Sequence, residues 1–246
     1  MKYIITFIGL FLMLSCSSDS QDSSAAPSSS DGTGGSLARF TLVGDYLYTV
    51  DKENLNVFNV SNTEDPEFVN NKFIGFEIET LFSFEEYLFV GSRLGMFIYD
   101  ISDPINPLKL AEVSHFRSCD PVVSTGDYTF VTLHTNAACV GNLNQLEVYD
   151  TTNPLNPVLK ATIGMDRPIG LGVYQNYLLV TDAGVVRIFN IDNPEIPDLI
   201  GGIQQDGFDV IVLGNRLFVI GETSLVQYKL NPDDILDYTE LSTITF

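Results

Sequence analysis

Only two histidines occur in the 246 residues, His115 and His134, and each is followed closely by a cysteine. The pairs His115-x3-Cys119 and His134-x4-Cys139 bring both histidines and two of the three cysteines together. Two imidazoles and two thiolates would suit zinc or copper in a four-coordinate site. Cys119 and Cys139 taken alone suit a disulfide, and closing a loop of about twenty residues would contribute roughly 3 kcal/mol by the chain-entropy argument. Two free thiols are the third outcome. In an exported chain the disulfide reading leads, with no cofactor bound and zinc or copper as the alternative.

Other chemistry is sparse. There is no nucleophile elbow and no phosphate loop, because "GTGGS" lies in a polar segment and Gly170-Leu171-Gly172 lies in an apolar strand. Two histidines are all the chain has to serve as imidazole bases. Glu77 and Glu79 alternate on one side of a strand, yet two acids at that spacing are too common to mark glycoside hydrolysis. No catalytic residue is assigned, and the chain reads as non-enzymatic. A glycan-acting enzyme ranks third among the functions, and it would need a cluster of perturbed acids in a central channel.

The elements that must position these residues are repeated. Aligning on the aromatic before a polar turn finds "LNVFNVSN", "MFIYDISDP", "LEVYDTTNP", "VRIFNIDNP" and a degenerate "LVQYKLNPD". Their aromatics, Phe58, Tyr99, Tyr149, Phe189 and Tyr228, are spaced by 41, 50, 40 and 39 residues, with the third copy carrying an insertion of about nine, "HTNAACVGN". An earlier apolar segment in each copy follows Gly44-Asp45, Glu85-Glu86, Gly126-Asp127, Gln175-Asn176 or Gly214-Asn215. Gly before Asp or Asn suits a two-residue hairpin turn, so three of the five copies carry that turn chemistry.

One period read through gives "FDVIVLG", "RLFVI", "LVQYKL" and "ELSTITF", four short strands within about 40 residues, as in a propeller blade. Seventeen Phe and eleven Tyr, with no sustained 3.6-residue period beyond the extreme N-terminus, agree with an all-β chain. The predicted fold is therefore a five-bladed β-propeller of four-stranded antiparallel blades over residues 36–246. Blades stack because a lone one leaves both apolar faces wet, with blade five closing on blade one face to face. Asn59, Asp100, Asp150 and Asn190 read as turn caps, and Pro104 and Pro107 as strand punctuation.

These copies resemble the LVIVD repeat family, whose blades carry a Leu-Val-Ile-Val-Asp-like third strand, a Ser-Asn-Pro-x-x-Pro turn and an apolar outer strand. The resemblance is clearest in copies two, three and four. Copy one has Thr63 where Pro is expected, and copy five has Lys229 in place of the acidic residue. It implies a secreted or envelope propeller and supplies no catalytic motif.

In such a blade the loop between strands two and three and the loop into the next blade share one face of the disc. Arg93, His115, Arg117, Asp120, His134, Arg167, Asp182 and Asp206 fall there, with Cys119, Cys139, Asp166 and Glu222. Loops on one face of a rigid scaffold are where binding is expected, so this is the candidate binding face. A metal-binding or redox-sensitive module centred on blade three is the alternative function.

The first residues give an address. "MKYIITFIGLFLMLSC" has one Lys, about a dozen apolar residues and a small residue before Cys16, the layout of an export signal over residues 1–15. "LMLSC" resembles the lipobox of bacterial lipoproteins, with Met13 where Leu is usual, which implies that Cys16 carries the lipid. Residues 16–35 read as a Ser-, Asp- and Gly-rich tether of roughly 25 Å reach. Its "SSDSQDSS" is similar to the acidic export tags of Bacteroidota surface lipoproteins. The expectation is an outer-membrane lipoprotein, on the periplasmic face or the cell surface, monomeric, with an envelope protein or glycan as partner. A net charge of -20 spread along the chain, with no basic stripe, argues against nucleic acid.

Overall fold

The computed structural model describes residues 34–114, 121–134 and 143–246. They form five antiparallel sheets of four strands, each sheet built from consecutive strands. Blade one holds β1 (Phe40–Val43), β2 (Tyr46–Val50), β3 (Asn54–Asn59) and β4 (Glu67–Phe73). Blade two holds β5 (Ile78–Phe84), β6 (Tyr87–Ser92), β7 (Gly95–Asp100) and β8 (Leu108–Ser114). Blade three holds β9 (Val122–Ser124), β10 (Tyr128–Leu133), β11 (Gln145–Asp150) and β12 (Val158–Gly164). Blade four holds β13 (Pro168–Tyr174), β14 (Tyr177–Asp182), β15 (Val185–Asn190) and β16 (Asp198–Ile203). Blade five holds β17 (Asp209–Leu213), β18 (Arg216–Ile220), β19 (Ser224–Lys229) and β20 (Thr239–Thr245). The all-β five-bladed propeller expected from the repeat is the fold, with no helix among the described residues.

The turn chemistry is more uniform than the sequence suggests. Gly44, Glu85, Gly126, Gln175 and Gly214 all have positive φ, between 50° and 88°. Positive φ at the first central residue alone is the mark of a II′ hairpin. Pairing of the flanking strands therefore imposes the same turn on Glu85 and Gln175, which lack glycine's freedom.

The punctuation after the third strand is a double turn. Asn59, Asp100, Asp150 and Asn190 each accept the backbone N–H two residues on, at 2.7–3.1 Å. Three residues later Asn62, Asp103, Asn153 and Asn193 do the same. In blade five the pair is Asn231 and Asp234, displaced by a two-residue insertion. Copy five's Lys229 thus does not replace the cap; the cap has moved along the loop.

Four buried apolar clusters fill the junctions between blades one and two, two and three, three and four, and four and five. The repeat aromatic of each blade faces the preceding blade: Tyr99, Tyr149, Phe189 and Tyr228 are at most 4% exposed. Phe58 of blade one is only half-buried, because among the described residues no buried apolar cluster joins blades five and one. The cause is legible in β19. Val57, Ile98, Val148 and Ile188 fill the matching position in blades one to four, and blade five has Gln227 there.

The seam is tied by polar contacts instead of the expected face-to-face burial. Ser36 Oγ donates to Asp209 Oδ1 of β17 at 3.1 Å and accepts from the Leu171 N–H of β13 at 2.7 Å. Ser36 is 1% exposed, and Gly35, placed by sequence at the end of the tether, is buried beside the same carboxylate.

Candidate binding face

The loops between second and third strands and those entering the next blade share one face, as the blade topology requires. On it Arg93, at the β6–β7 turn, is held between two acids: its Nε lies 2.7 Å from Glu79 Oε1 and its guanidinium 3.7 Å from Glu77 Oε1. Simple strand alternation does not bring the acids together. Glu77 precedes β5 in a left-handed conformation, φ 55°, and Glu79 occupies a bulge between Ile78 and Thr80. The two acids thus clamp Arg93 from either side.

A second network centres on Asp182, whose side chain is 0% exposed. Oδ1 accepts the backbone N–H groups of Asp166 and Arg167 at 3.1 and 2.6 Å, and Oδ2 meets Arg187 Nε at 2.5 Å. Arg187 also reaches Asp166 at 3.0 Å. Asp182 therefore fixes the loop entering blade four. Arg187 was not singled out by sequence, because it sits mid-strand at a position that Phe97 and Val226 fill in other blades. The bulged, paired geometry carries no local signal.

His134, at the base of the blade-three insertion, is 5% exposed. Burial first, then the nearby Arg167 charge, pushes its imidazole down to about 4, so it is neutral at pH 7. Arg167, Asp206 and Glu222 are exposed on the same face. His115, Arg117, Cys119, Asp120 and Cys139 lie outside the described residues, as does Cys16. Of the four alternative zinc or copper ligands, only His134 is described. Among the described residues no group of three or more His, Cys, Asp or Glu is arranged to hold a metal ion.

One acid near the ring axis is strongly perturbed. Burial pushes the Asp209 carboxyl up to about 6, against hydrogen bonds from Val210, Ser36 and Leu37 that pull it down. Gly170 permits this approach: a Cβ there would stand 2.5 Å from Asp209 Cα and 2.7 Å from Phe208 O. Gly170-Leu171-Gly172 is thus a close-packing device between inner strands. A further buried acid missed by sequence, Glu147 of β11, is 5% exposed and bonded to Gln145 and Tyr149. Only its side-to-side alternation with Leu146 and Val148 could have placed it on an inward face.

The LVIVD repeat model matches residues 34–71 and 84–113, which are blade one and most of blade two. The match falls on copies one and two, whereas the resemblance read from sequence is clearest in copies two, three and four. No curated protein matches it. Among solved structures it is similar to a functionally unknown protein from Desulfotomaculum acetoxidans at 10% identity and TM-score 0.65, covering 88% of this chain and 69% of that one. It is similar to a periplasmic gluconolactonase of Pseudomonas aeruginosa at 14% identity and TM-score 0.62, covering 82% and 68%. A Lactobacillus plantarum protein matches at 14% identity and TM-score 0.55, covering 78% and 62%. The chain spans about two thirds of the length of each, and at such identities the likeness is one of fold.

Proposed function

We propose that this LVIVD-repeat propeller is a lipid-anchored cell-envelope protein, held by an acylated Cys16, and that its loop face is a non-enzymatic binding scaffold for an envelope protein or glycan. The observation that carries the reading is the division of labour on that face. Arg93 and Asp182 are locked in internal ion pairs, while Arg167, Asp206 and Glu222 stand exposed beside them. A rigid frame presenting a few exposed charges loses little entropy when it binds. The address rests on the leader, the lipobox resemblance and the tether.

The test is capture from intact envelopes with the full lipidated chain as bait, compared with a chain lacking residues 135–142 and with Arg167→Ala/Asp206→Ala. A partner retained by the parent and lost from both variants is expected. Identical recoveries from all three would remove the loop face as the binding surface. Release of Cys16→Ala from the membrane fraction is expected in parallel, and its retention there would overturn the anchor.

Cys119 and Cys139 are proposed to form a disulfide that closes the blade-three loops. Mass spectrometry of the non-reduced secreted chain should find two hydrogens missing. Two thiols with a bound metal would instead establish the metal-binding alternative at His115, Cys119, His134 and Cys139. The gluconolactonase likeness lends this chain no lactone chemistry, since it is a likeness of fold.

A further inference from the structure

Blade three carries a buried carboxylate where its neighbours do not. Two residues before the repeat aromatic, blade two has Phe97 and blade five Val226, both buried and apolar, while blade three has Glu147 at 5% exposure. Cross-strand pairing with Val131 and Thr162 turns Glu147 toward blade two, the side on which Val131 and Tyr149 join the cluster with Phe89 and Met96. Among the described residues its donors are neutral: Gln145 Nε2 to Oε1 at 2.7 Å and the Tyr149 hydroxyl to Oε2 at 2.5 Å. Arg187 at the matching place in blade four has two acids for company. Glu147 has no cation among the described residues.

The carboxylate lines a groove of about 600 Å³ at the rim between blades two and three. Leu143, Leu159 and Tyr149 supply apolar wall, and Gln145 and Thr162 supply hydrogen-bonding groups. This is the size and composition of a small-molecule site: largely apolar, with a few convergent polar groups. A buried carboxylate bonded only by neutral donors is unfavourable until a positive charge joins it. The surrounding charge of -20 would raise the local concentration of cations and lower that of anions.

We infer that the groove is a binding site for a small organic ammonium with an apolar body, its charged end against Glu147 and its chain against Leu143 and Leu159. An aromatic wall at Tyr149 adds attraction for a cation over a neutral group. Acidic ligands are excluded by the same carboxylate. The inference rests on the binding-protein reading but uses the groove beside the loop face and not its exposed charges, so the two fail separately: it needs only the purified chain, whatever the envelope capture yields.

The experiment is titration calorimetry of the full exported chain with n-pentylammonium, n-pentanol and n-pentanoate. Pentylammonium should saturate one site, pentanol should bind at least about tenfold more weakly, and pentanoate should not bind. Glu147→Gln keeps an acceptor oxygen for Tyr149 and removes the charge, so it should abolish the preference for the ammonium while leaving pentanol binding in place. Leu159→Trp, at a position 48% exposed, should block every probe and provides a second test if the first variant unfolds. Equal affinity for ammonium and alcohol, no saturable binding of the ammonium, or a preference that survives Glu147→Gln would each overturn the site.

Discussion

Ser36 and Asp209 stand 173 residues apart in sequence and meet at 3.1 Å, which joins the first described residues of the propeller to the inner strand of its last blade. This contact does at the seam what apolar burial does at the other four junctions. Ser36→Ala would leave the Leu171 N–H and part of the Asp209 carboxylate without partners in a buried place. It should lower stability by about 2 kcal/mol in chemical denaturation. A loss of under half that would mean the seam is held by something else.

The pH response should come from two buried groups acting oppositely. Asp209, raised to about 6, holds its proton more tightly folded than unfolded, so it adds stability below about pH 4 that is lost as pH rises through 6. His134, held down to about 4 from 6.5, contributes stability above pH 6.5 that is lost as pH falls through 4. Each is worth at most roughly 3 kcal/mol, so their effects largely cancel in the parent. Denaturation series from pH 7 to 4.5 should show a steeper acid loss in Asp209→Asn and a gain on acidification in His134→Gln. Parallel curves for the parent and both variants would contradict this.

Inner-strand spacing predicts a graded glycine effect. Gly170→Ala places its methyl against the backbone of Asp209 and Phe208, and should cost about 3 kcal/mol. At Gly172 the nearest atoms are the methyls of Val210 and Val212, at 3.2 and 3.3 Å, which can shift. Gly172→Ala should cost about 1 kcal/mol, and thermal melts should rank the two in that order.

The five equivalent turns allow an internal comparison. Nothing lies within 4 Å of a Cβ at Gly44 or Gly214, so alanine there suffers only the left-handed conformation. Each change should destabilise by about 1 kcal/mol. Gln175→Gly removes that strain at the fourth turn and should leave melting temperature unchanged or raised, whereas a clear drop would show the Gln side chain has a role of its own.

Asp182 should be the costliest side chain on the loop face. Removing it with Asp182→Ala leaves two backbone N–H groups and Arg187 Nε without their acceptor, which predicts a loss of about 3–5 kcal/mol. Arg167→Ala, at an exposed side chain on the same face, should change stability by under about 0.5 kcal/mol. Together they separate framework from binding surface by denaturation alone.

Sequence by itself determined the blade count, the strand order within each blade and the capping of the third strand. Those features recur at 39–41 residues in three of the four spacings between copies and depend on neighbours in the chain: an aromatic, an Asx residue, a hairpin turn. It also held the reason for the weak seam, in Gln227, although that residue becomes informative only when set against Val57, Ile98, Val148 and Ile188. Tertiary structure decided what contacts across blades decide. The polar tie of Ser36 to Asp209, the clamp of Glu77 and Glu79 on Arg93, the network around Asp182 and the inward position of Glu147 all depend on bulges and inter-blade approach. A bulge of one residue reverses which side a carboxylate faces, and ring closure sets partners more than a hundred residues apart beside each other. Neither leaves a mark on local spacing.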